Sequence, residues 1–325
     1  METTDQNRAD ESAVLEAAVI GLGPAGVSAC MKLAEEGIPV TAFEFGAIGG
    51  QVNMTASIDN YPGYSGPAFD LTDRFSADID RLVKAGSLKV VHSQVKSLER
   101  TPEGLFSITT PRASFLFKAV IIASGTRYRP YAVPDPDHTV RGRGFSRCAI
   151  CDGPLYKGKD VMVVGGGEAA FQEALYLSTI CHSVTLINRR TIFRASIRDV
   201  EAFKSAPNTR IIAPAVTVSC SGDGHLQHVV IKDPNDPTDA SLQTLDVEAC
   251  FIYIGSDAAT AFVKIPEALD EKGNVKVNEG MAVAEVPGLF GAGDVIDTPL
   301  RQVATAVGYG SLAALALTRY LERRR

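Results

Sequence analysis

The chain predicts an α/β protein made of two Rossmann-like nucleotide-binding domains, each a three-layer ββα unit, with the second inserted into the first. Three observations predict this. A glycine-rich turn follows a short apolar run twice, as Gly21-Leu22-Gly23-Pro24-Ala25-Gly26 and as Gly165-Gly166-Gly167-Glu168-Ala169-Ala170. The segments after the two turns repeat each other in order and kind. Residues 257–325 then remain beyond the second copy and read as a return to the first domain.

In chain order, Ala17-Ala18-Val19-Ile20 predicts a strand entering the first turn, followed by a helix over 24–36 and a strand over 38–44. Strand, glycine turn, helix and strand make the dinucleotide-binding unit. The polar, alternating stretch 88–117 predicts a small antiparallel sheet. The apolar run 118–123 predicts a buried strand that ends at Ser124-Gly125. The second copy predicts a strand over 161–164, a helix over 168–178, a strand over 183–188, an alternating stretch over 209–245 and a buried strand over 249–254 that ends at Gly255-Ser256. The remainder holds Gly288-Leu289-Phe290-Gly291-Ala292-Gly293-Asp294 and an apolar helix over 302–322. The expected boundaries are a first domain over 1–126 (residues 1–14 disordered), a second over 127–256, and the return over 257–325. Hinges are expected at 125–131 and 255–258.

Composition limits the function classes. A chain of 325 residues suits two domains. A net charge of −6 offers no basic field for nucleic acid, and Arg323-Arg324-Arg325 suits a solvated helix end, where cations oppose the macrodipole. Residues 1–11 are polar and acidic and carry no secretory signal. The most apolar stretch, 303–317, contains Gly308 and Gly310 and falls short of the roughly 20 apolar residues of a membrane span. It predicts a buried helix. Of six cysteines only Cys148 and Cys151 lie close in sequence; Cys30, Cys181, Cys220 and Cys250 stand alone and are expected in the interior. This is the pattern of a cytoplasmic protein with one working dithiol, not of a disulfide-stapled secreted domain.

The glycines Gly21, Gly23 and Gly26 of the first turn, and Gly165 and Gly167 of the second, allow a tight bend and close approach of a pyrophosphate to a helix N-terminus. The first unit ends its second strand at Glu44, where a carboxylate accepts hydrogen bonds from the free ribose hydroxyls of FAD or NAD. The second unit has Asn188-Arg189-Arg190 at that place, with Arg194 beyond. Three guanidinium groups and no acid suit the 2′-phosphate of NADPH; the plain alternative is a solvated basic loop. For Cys148-Ala149-Ile150-Cys151-Asp152-Gly153, structural zinc lacks a second ligand pair, since His138, His182, His225 and His228 are scattered. Redox exchange remains, and Asp152 is a candidate to move the protons, or else an Asp-Gly turn residue.

Together with Gly49-Gly50-Gln51, Asp59-Asn60-Tyr61-Pro62-Gly63, Phe193-Arg194-Ala195, Gly291-Ala292-Gly293-Asp294 and Arg301-Gln302-Val303, these motifs closely resemble low-molecular-weight thioredoxin reductases over about 17–321. The resemblance implies a homodimeric flavoprotein that passes electrons from NADPH through FAD to its own disulfide and on to thioredoxin. It implies that Cys151 is the thiol nearest the flavin, Cys148 attacks the protein substrate, and Asp152 is the acid–base group. It implies that FAD is held by Gly21, Gly23, Pro24, Ala25, Gly26, Glu44, Gly50, Gln51, Asn60, Gly125, Gly293, Asp294, Arg301, Gln302 and Val303. NADPH would be held by Gly165, Gly167, Glu168, Ala169, Asn188, Arg189, Arg190 and Arg194. The domains of this family alternate between two arrangements, which the expected hinges would serve. The chain departs from the family pattern in three places. Asn188 stands for the usual histidine, Gly255-Ser256-Asp257-Ala258-Ala259-Thr260 lacks the usual Pro-Asn-Thr, and Ile150 is bulky between the cysteines.

Other functions use the same parts differently. A FAD-dependent dithiol oxidase or a ferredoxin-fed reductase would keep Cys-x-x-Cys but has less use for Arg189, Arg190 and Arg194. A peroxiredoxin-linked reductase would add an N-terminal dithiol domain. A nucleotide-sensing module would keep the fold without electron exchange at Cys148 and Cys151.

Overall fold

The computed structural model describes residues 13–324, apart from 56, 137, 139, 141 and 142. The expected disordered lead-in over 1–12, and Arg325 of the cationic tail, lie outside the described residues. Val14 does not belong to that lead-in: it opens the first strand.

The elements in chain order are β1 (Val14–Ile20), α1 (Pro24–Glu35), β2 (Val40–Glu44), β3 (Ser57–Tyr61), β4 (Tyr64–Pro67), α2 (Ala68–Lys84), β5 (Leu88–His92), β6 (Ser97–Arg100), β7 (Phe106–Thr109), β8 (Ser114–Ile122), β9 (Thr126–Tyr128), β10 (Phe145–Ser146), α3 (Ala149–Asp152), β11 (Asp160–Val164), α4 (Glu168–Ser178), β12 (Ser183–Ile187), α5 (Ile197–Ser205), β13 (Thr209–Ile212), β14 (Val216–Gly222), β15 (Leu226–Lys232), β16 (Gln243–Asp246), β17 (Ala249–Ile252), β18 (Ser256–Ala258), β19 (Leu289–Gly291) and α6 (Val303–Glu322). They fall into two compact units. Unit 1 runs to Asn53 and takes Ser57–Arg127 and the chain from Asp257; unit 2 holds Tyr128–Ser256 and the short segment Met54–Ala56. The chain passes between the units through β9 and β18, which pair with each other.

In unit 1 the main sheet has the order β5-β2-β1-β8-β7-β6, with β19 also on β8. β1 is parallel to β2 on one side and β8 on the other, so Val19 faces both Ala42 and Ile121. A strand flanked this way is covered on both faces, which is why its second half, residues 17–20, is an unbroken and buried apolar run. The first half of β8 pairs antiparallel with β7 and its second half pairs parallel with β19. The antiparallel meander therefore branches from the parallel sheet instead of forming a sheet of its own.

Unit 2 repeats the plan with the parallel order β10-β17-β11-β12-β13 and a separate antiparallel sheet β14-β15-β16. In both units the expected antiparallel stretch is corrected at its start. β5 and β13 leave that stretch and pair parallel, as edge strands, with β2 and β12. The reason is the helix before each, α2 and α5, neither of which the repeat pattern announces. A helix between two strands makes a crossover, and a crossover returns the chain parallel. Helix α2 buries Ala68, Leu71, Phe75, Ile79 and Leu82, an apolar stripe at helical spacing. Helix α5 is capped by Ser196, which accepts the Asp199 N–H at 3.1 Å. The second strand begins at Val40, not 38, because Gly37 (φ +70°) and Ile38 close the end of α1; the Ile38 N–H returns to the Leu33 carbonyl at 3.0 Å.

The return segment is held by α6, which packs along α1. Ser28 Oγ donates to the Val307 carbonyl at 2.7 Å and meets Ser311 Oγ at 2.8 Å. The helices approach so closely that a Cβ on Gly310 would lie 2.1 Å from the Ala25 carbonyl oxygen. Gln302 and Thr305 close the N-terminus of α6 as a reciprocal capping box. Among the described residues no helix is long and apolar enough to cross a membrane. The four single cysteines are buried and free.

Gly310→Ala should therefore force α1 and α6 apart and lower the unfolding free energy by about 1–3 kcal/mol in a urea titration. Gly308→Ala, two residues earlier where an added Cβ meets nothing within 4 Å, should be neutral or gain up to about 1 kcal/mol from helix propensity.

Candidate functional site

Both glycine turns put an open helix end at the C-terminal edge of a parallel sheet. Gly21 follows β1 with φ +99°, a conformation that a side chain strains. A Cβ on Gly26 would lie 1.8 Å from the Gly21 carbonyl oxygen, so the turn closes against the first turn of α1 only without one. Gly23 is the N-cap, Pro24 and Ala25 follow it, and an added Cβ at Gly23 would meet nothing within 4 Å. In unit 2, Gly165 has φ +152°, Gly167 is the N-cap of α4 with equally open space, and Glu168 and Ala169 begin the helix. Neither N-cap is served by a side chain among the described residues. The orphan N–H groups of both helices thus suit an anion, which is the fit expected of a dinucleotide phosphate.

The other unit 1 positions gather around the first turn. Glu44, at the end of β2, accepts the N–H of Leu22 and that of Gly46, each at 2.7 Å and on different oxygens. Each oxygen keeps acceptor capacity for a ribose hydroxyl. Gly50 lies against Gly23, where its Cβ would come 3.2 Å from the Gly23 Cα. Gln51 Nε2 donates to the Thr126 carbonyl at 2.8 Å and to Thr126 Oγ1 at 2.7 Å. Asn60 Nδ2 donates to Gln302 Oε1 at 2.6 Å, which joins β3 to the cap of α6 just before Val303. Gly125 (φ +63°) follows β8 and its carbonyl accepts the Ala259 N–H at 2.9 Å. Gly293 (φ +78°) packs on α1, with its Cβ position 2.8 Å from the Ala25 Cβ. Asp294 follows it; burial pushes its carboxyl up, opposed by the charge of Arg301.

In unit 2, Asn188 holds the loop after β12: its Nδ2 donates to the Arg190 carbonyl at 2.5 Å and reaches the Ile192 carbonyl at 3.4 Å. The Arg194 N–H donates to the Gly166 carbonyl at 2.7 Å. Arg189, Arg190 and Arg194 are exposed. The family histidine is thus replaced by a side chain that fastens its own loop.

Cys148 and Cys151 form a disulfide. Cys148 caps α3, its Sγ accepting the Cys151 N–H at 3.2 Å. Cys148 is buried at 5% exposure and Cys151 is exposed, so in this conformation the thiol that the resemblance gives to the protein substrate is the covered one. Asp152 accepts from Ser146 Oγ at 2.7 Å, and the Ala149 N–H donates to Tyr253 Oη at 2.9 Å.

Sequence reasoning missed three side chains here: Ser146, Tyr253 and Glu173. Glu173 of α4 is buried; Thr55 Oγ1 donates to its Oε1 at 3.0 Å, and its Oε2 has no hydrogen-bond partner among the described residues. Burial pushes its carboxyl up to about 7. Its signal was in the sequence, as an acid on the apolar stripe of Ala170, Ala174 and Leu177. Ser146 and Tyr253 carry no such signal.

Comparison with known proteins decides the family. The pyridine nucleotide-disulphide oxidoreductase family matches residues 15–310. The chain belongs to that family. It is 31% identical to a thioredoxin reductase of Bacillus subtilis over 96% of both chains, and 33% identical to one of Streptomyces coelicolor over 91% of both. Among solved structures, thioredoxin reductase of Lactococcus lactis matches with a TM-score of 0.87 at 30% identity, covering 95% of this chain and 99% of that one. That of T. acidophilum matches with 0.84 at 30% identity and the same coverage. This pyridine nucleotide-disulphide oxidoreductase is thus an enzyme, and its family implies a nicotinamide nucleotide and a flavin as cofactors.

The buried acid gives a test of stability against pH. Unfolded, Glu173 ionises near its ordinary 4.5; folded, it keeps its proton to about 7. The folded state therefore binds more protons in that window, and stability falls as pH rises through it. Glu173→Gln should remove this slope in urea titrations, gaining up to about 3 kcal/mol over the parent near pH 8 and little below pH 4.5.

Proposed function

We propose that this chain is an NADPH-dependent thioredoxin reductase, which passes electrons from NADPH through FAD to the Cys148–Cys151 disulfide and on to thioredoxin or a similar small redox protein. The observation that carries the reading is the disulfide on α3, next in the chain to a nucleotide turn whose flanking loop presents Arg189, Arg190 and Arg194 to solvent. FAD would lie on unit 1 and NADPH on unit 2. Glu44, Gln51, Asn60, Asp294, Arg301, Gln302 and Val303 would hold FAD beside the first glycine turn. Flavin chemistry supplies the exchange between a two-electron hydride donor and a dithiol.

The chain's own residues would do the rest. The open N-termini of α1 and α4 take the two pyrophosphates, and the arginines clamp the 2′-phosphate by paired hydrogen bonds. Opening the Cys148–Cys151 bridge to two thiols consumes two electrons and two protons, and Asp152 would carry one of those protons. Attack by Cys148 on a protein disulfide requires that it be uncovered, and the paired strands β9 and β18 are where such a movement would turn. The relatives named thioredoxin reductase support the substrate; a homodimer and a cytoplasmic site of action rest on the family resemblance alone.

Anaerobic titration of the flavin-loaded protein tests the reading. NADPH should bleach the visible flavin band, NADH should do so more weakly, and oxidised thioredoxin should restore it. Bleaching by a dithiol but not by NADPH would leave a dithiol oxidase or a ferredoxin-fed enzyme. Replacing Arg189 and Arg190 together by Ala should raise KM for NADPH by on the order of 100-fold while KM for NADH stays within about twofold. Cys151→Ser should abolish thioredoxin reduction yet leave bleaching by NADPH intact.

A further inference from the structure

Ser146, the last residue of β10, is buried and makes three close polar contacts that no role above uses. Its Oγ lies 2.7 Å from Asp152 Oδ2, accepts the Cys148 N–H at 3.0 Å, and lies 3.2 Å from the Cys148 carbonyl oxygen. A hydroxyl has one proton to give and two lone pairs to receive. With Asp152 ionised, the hydroxyl donates to the carboxylate while the Cys148 N–H fills one lone pair. With Asp152 protonated, the carboxyl donates to Oγ and the hydroxyl hydrogen turns to the Cys148 carbonyl. The hydroxyl, Asp152 Oδ2 and the Cys148 N–H are each paired in both states, with only a hydrogen moved.

We propose that Ser146 is a positioning residue for Asp152, a hydroxyl switch that holds the carboxyl in one place through both of its protonation states. The proposal rests on the reading of Asp152 as the proton carrier. In that reading the S–S bond breaks, two S–H bonds form, and Asp152 gives one proton and recovers it from solvent. Without the switch, each proton transfer would leave a buried donor or acceptor unmatched or force the backbone of Cys148 to move. The neighbouring titratable and charged groups are Tyr253, whose hydroxyl holds the Ala149 N–H and is pushed up by burial and then by the charges of Glu173 and Asp152; Tyr156, on the segment after α3, pushed up by burial and then by the charges of Asp152 and Glu248; Glu173 itself; and Arg147 beside the cysteine. Glu173 titrates in the range of interest, so the measurements use Glu173→Gln as background.

The test is infrared titration of the protonated Asp152 carboxyl band, assigned by its loss in Asp152→Asn, together with the pH profile of flavin bleaching by dithiothreitol. Ser146→Ala removes a hydrogen bond from both forms, and the one to the ionised carboxylate is the stronger because it is charge-assisted, so the infrared midpoint should rise by about one pH unit, and Ser146→Thr should restore it. The bleaching rate should drop in Ser146→Ala but show no further drop when that change is added to Asp152→Asn. An unmoved midpoint, or an equal drop with and without Asp152, would overturn the proposal. Should Ser146→Ala not fold, the unaltered protein decides: its Asp152 band should sit at the frequency of a carboxyl donating a hydrogen bond, and a free-carboxyl frequency would overturn the switch. If Asp152→Asn leaves bleaching unchanged, the proton-carrier reading falls, while the infrared midpoint still judges the switch by itself.

Discussion

A helix begins with four backbone N–H groups that have no partner inside the helix, and proteins usually spend a Ser, Thr, Asp or Asn on them. α5 does so with Ser196, and α6 with Gln302 and Thr305. α1 and α4 instead begin on Gly23 and Gly167, with nothing built within 4 Å of where a Cβ would stand. Much of each unit is organised around keeping that helix end both open and fixed. In unit 1 the fixing is steric. Gly26 presses on Gly21, Gly293 packs against Ala25, and Gly310 brings α6 onto the Ala25 carbonyl. The return segment thus braces the turn from the far side of α1, which explains why a chain that leaves unit 1 after β9 comes back to it.

Unit 2 solves the same problem with different contacts. Ala170 stands where the first copy has its third glycine, and it is fully buried. The room comes from Gly165, whose missing Cβ would lie 3.0 Å from the Ala170 Cβ and 2.3 Å from the Tyr253 carbonyl oxygen. Tyr253 therefore touches the second glycine turn with its backbone and the dithiol helix with its hydroxyl, through the Ala149 N–H. A four-residue helix has almost no stability of its own. Its cap at Cys148, its tie to Tyr253 and its tie to Ser146 through Asp152 are what give the dithiol a fixed geometry.

What the sequence made legible follows from the range of the interactions. Glycine turns, the acid at Glu44 and the Cys-x-x-Cys are local patterns, and their spacing carries their meaning. The crossovers through α2 and α5 were not legible, because alternation marks a strand without saying whether its partner runs parallel. The contacts of Ser146 with Asp152 and of Tyr253 with Ala149 join residues whose separations, 6 and 104, follow no periodic rule. Glu173 lies between these cases: an acid among Ala170, Ala174 and Leu177 is visible in the sequence, but its elevated carboxyl depends on burial that only the packed unit shows.

Asn188 shows how a residue that departs from the family pattern finds different contacts. A histidine before the arginine pair is the family habit, and its loss raises the question of what holds the basic loop. Asn188 turns inward, donating to the Arg190 and Ile192 carbonyls, with its amide lying 2.7–2.8 Å from where a Gly166 Cβ would be. The Arg194 N–H closes the same corner on the Gly166 carbonyl. The basic loop is thereby tied to the second glycine turn by direct contacts. Preorganisation of this kind lowers the ordering cost of binding, which suits the proposed role of Arg189, Arg190 and Arg194 as a clamp.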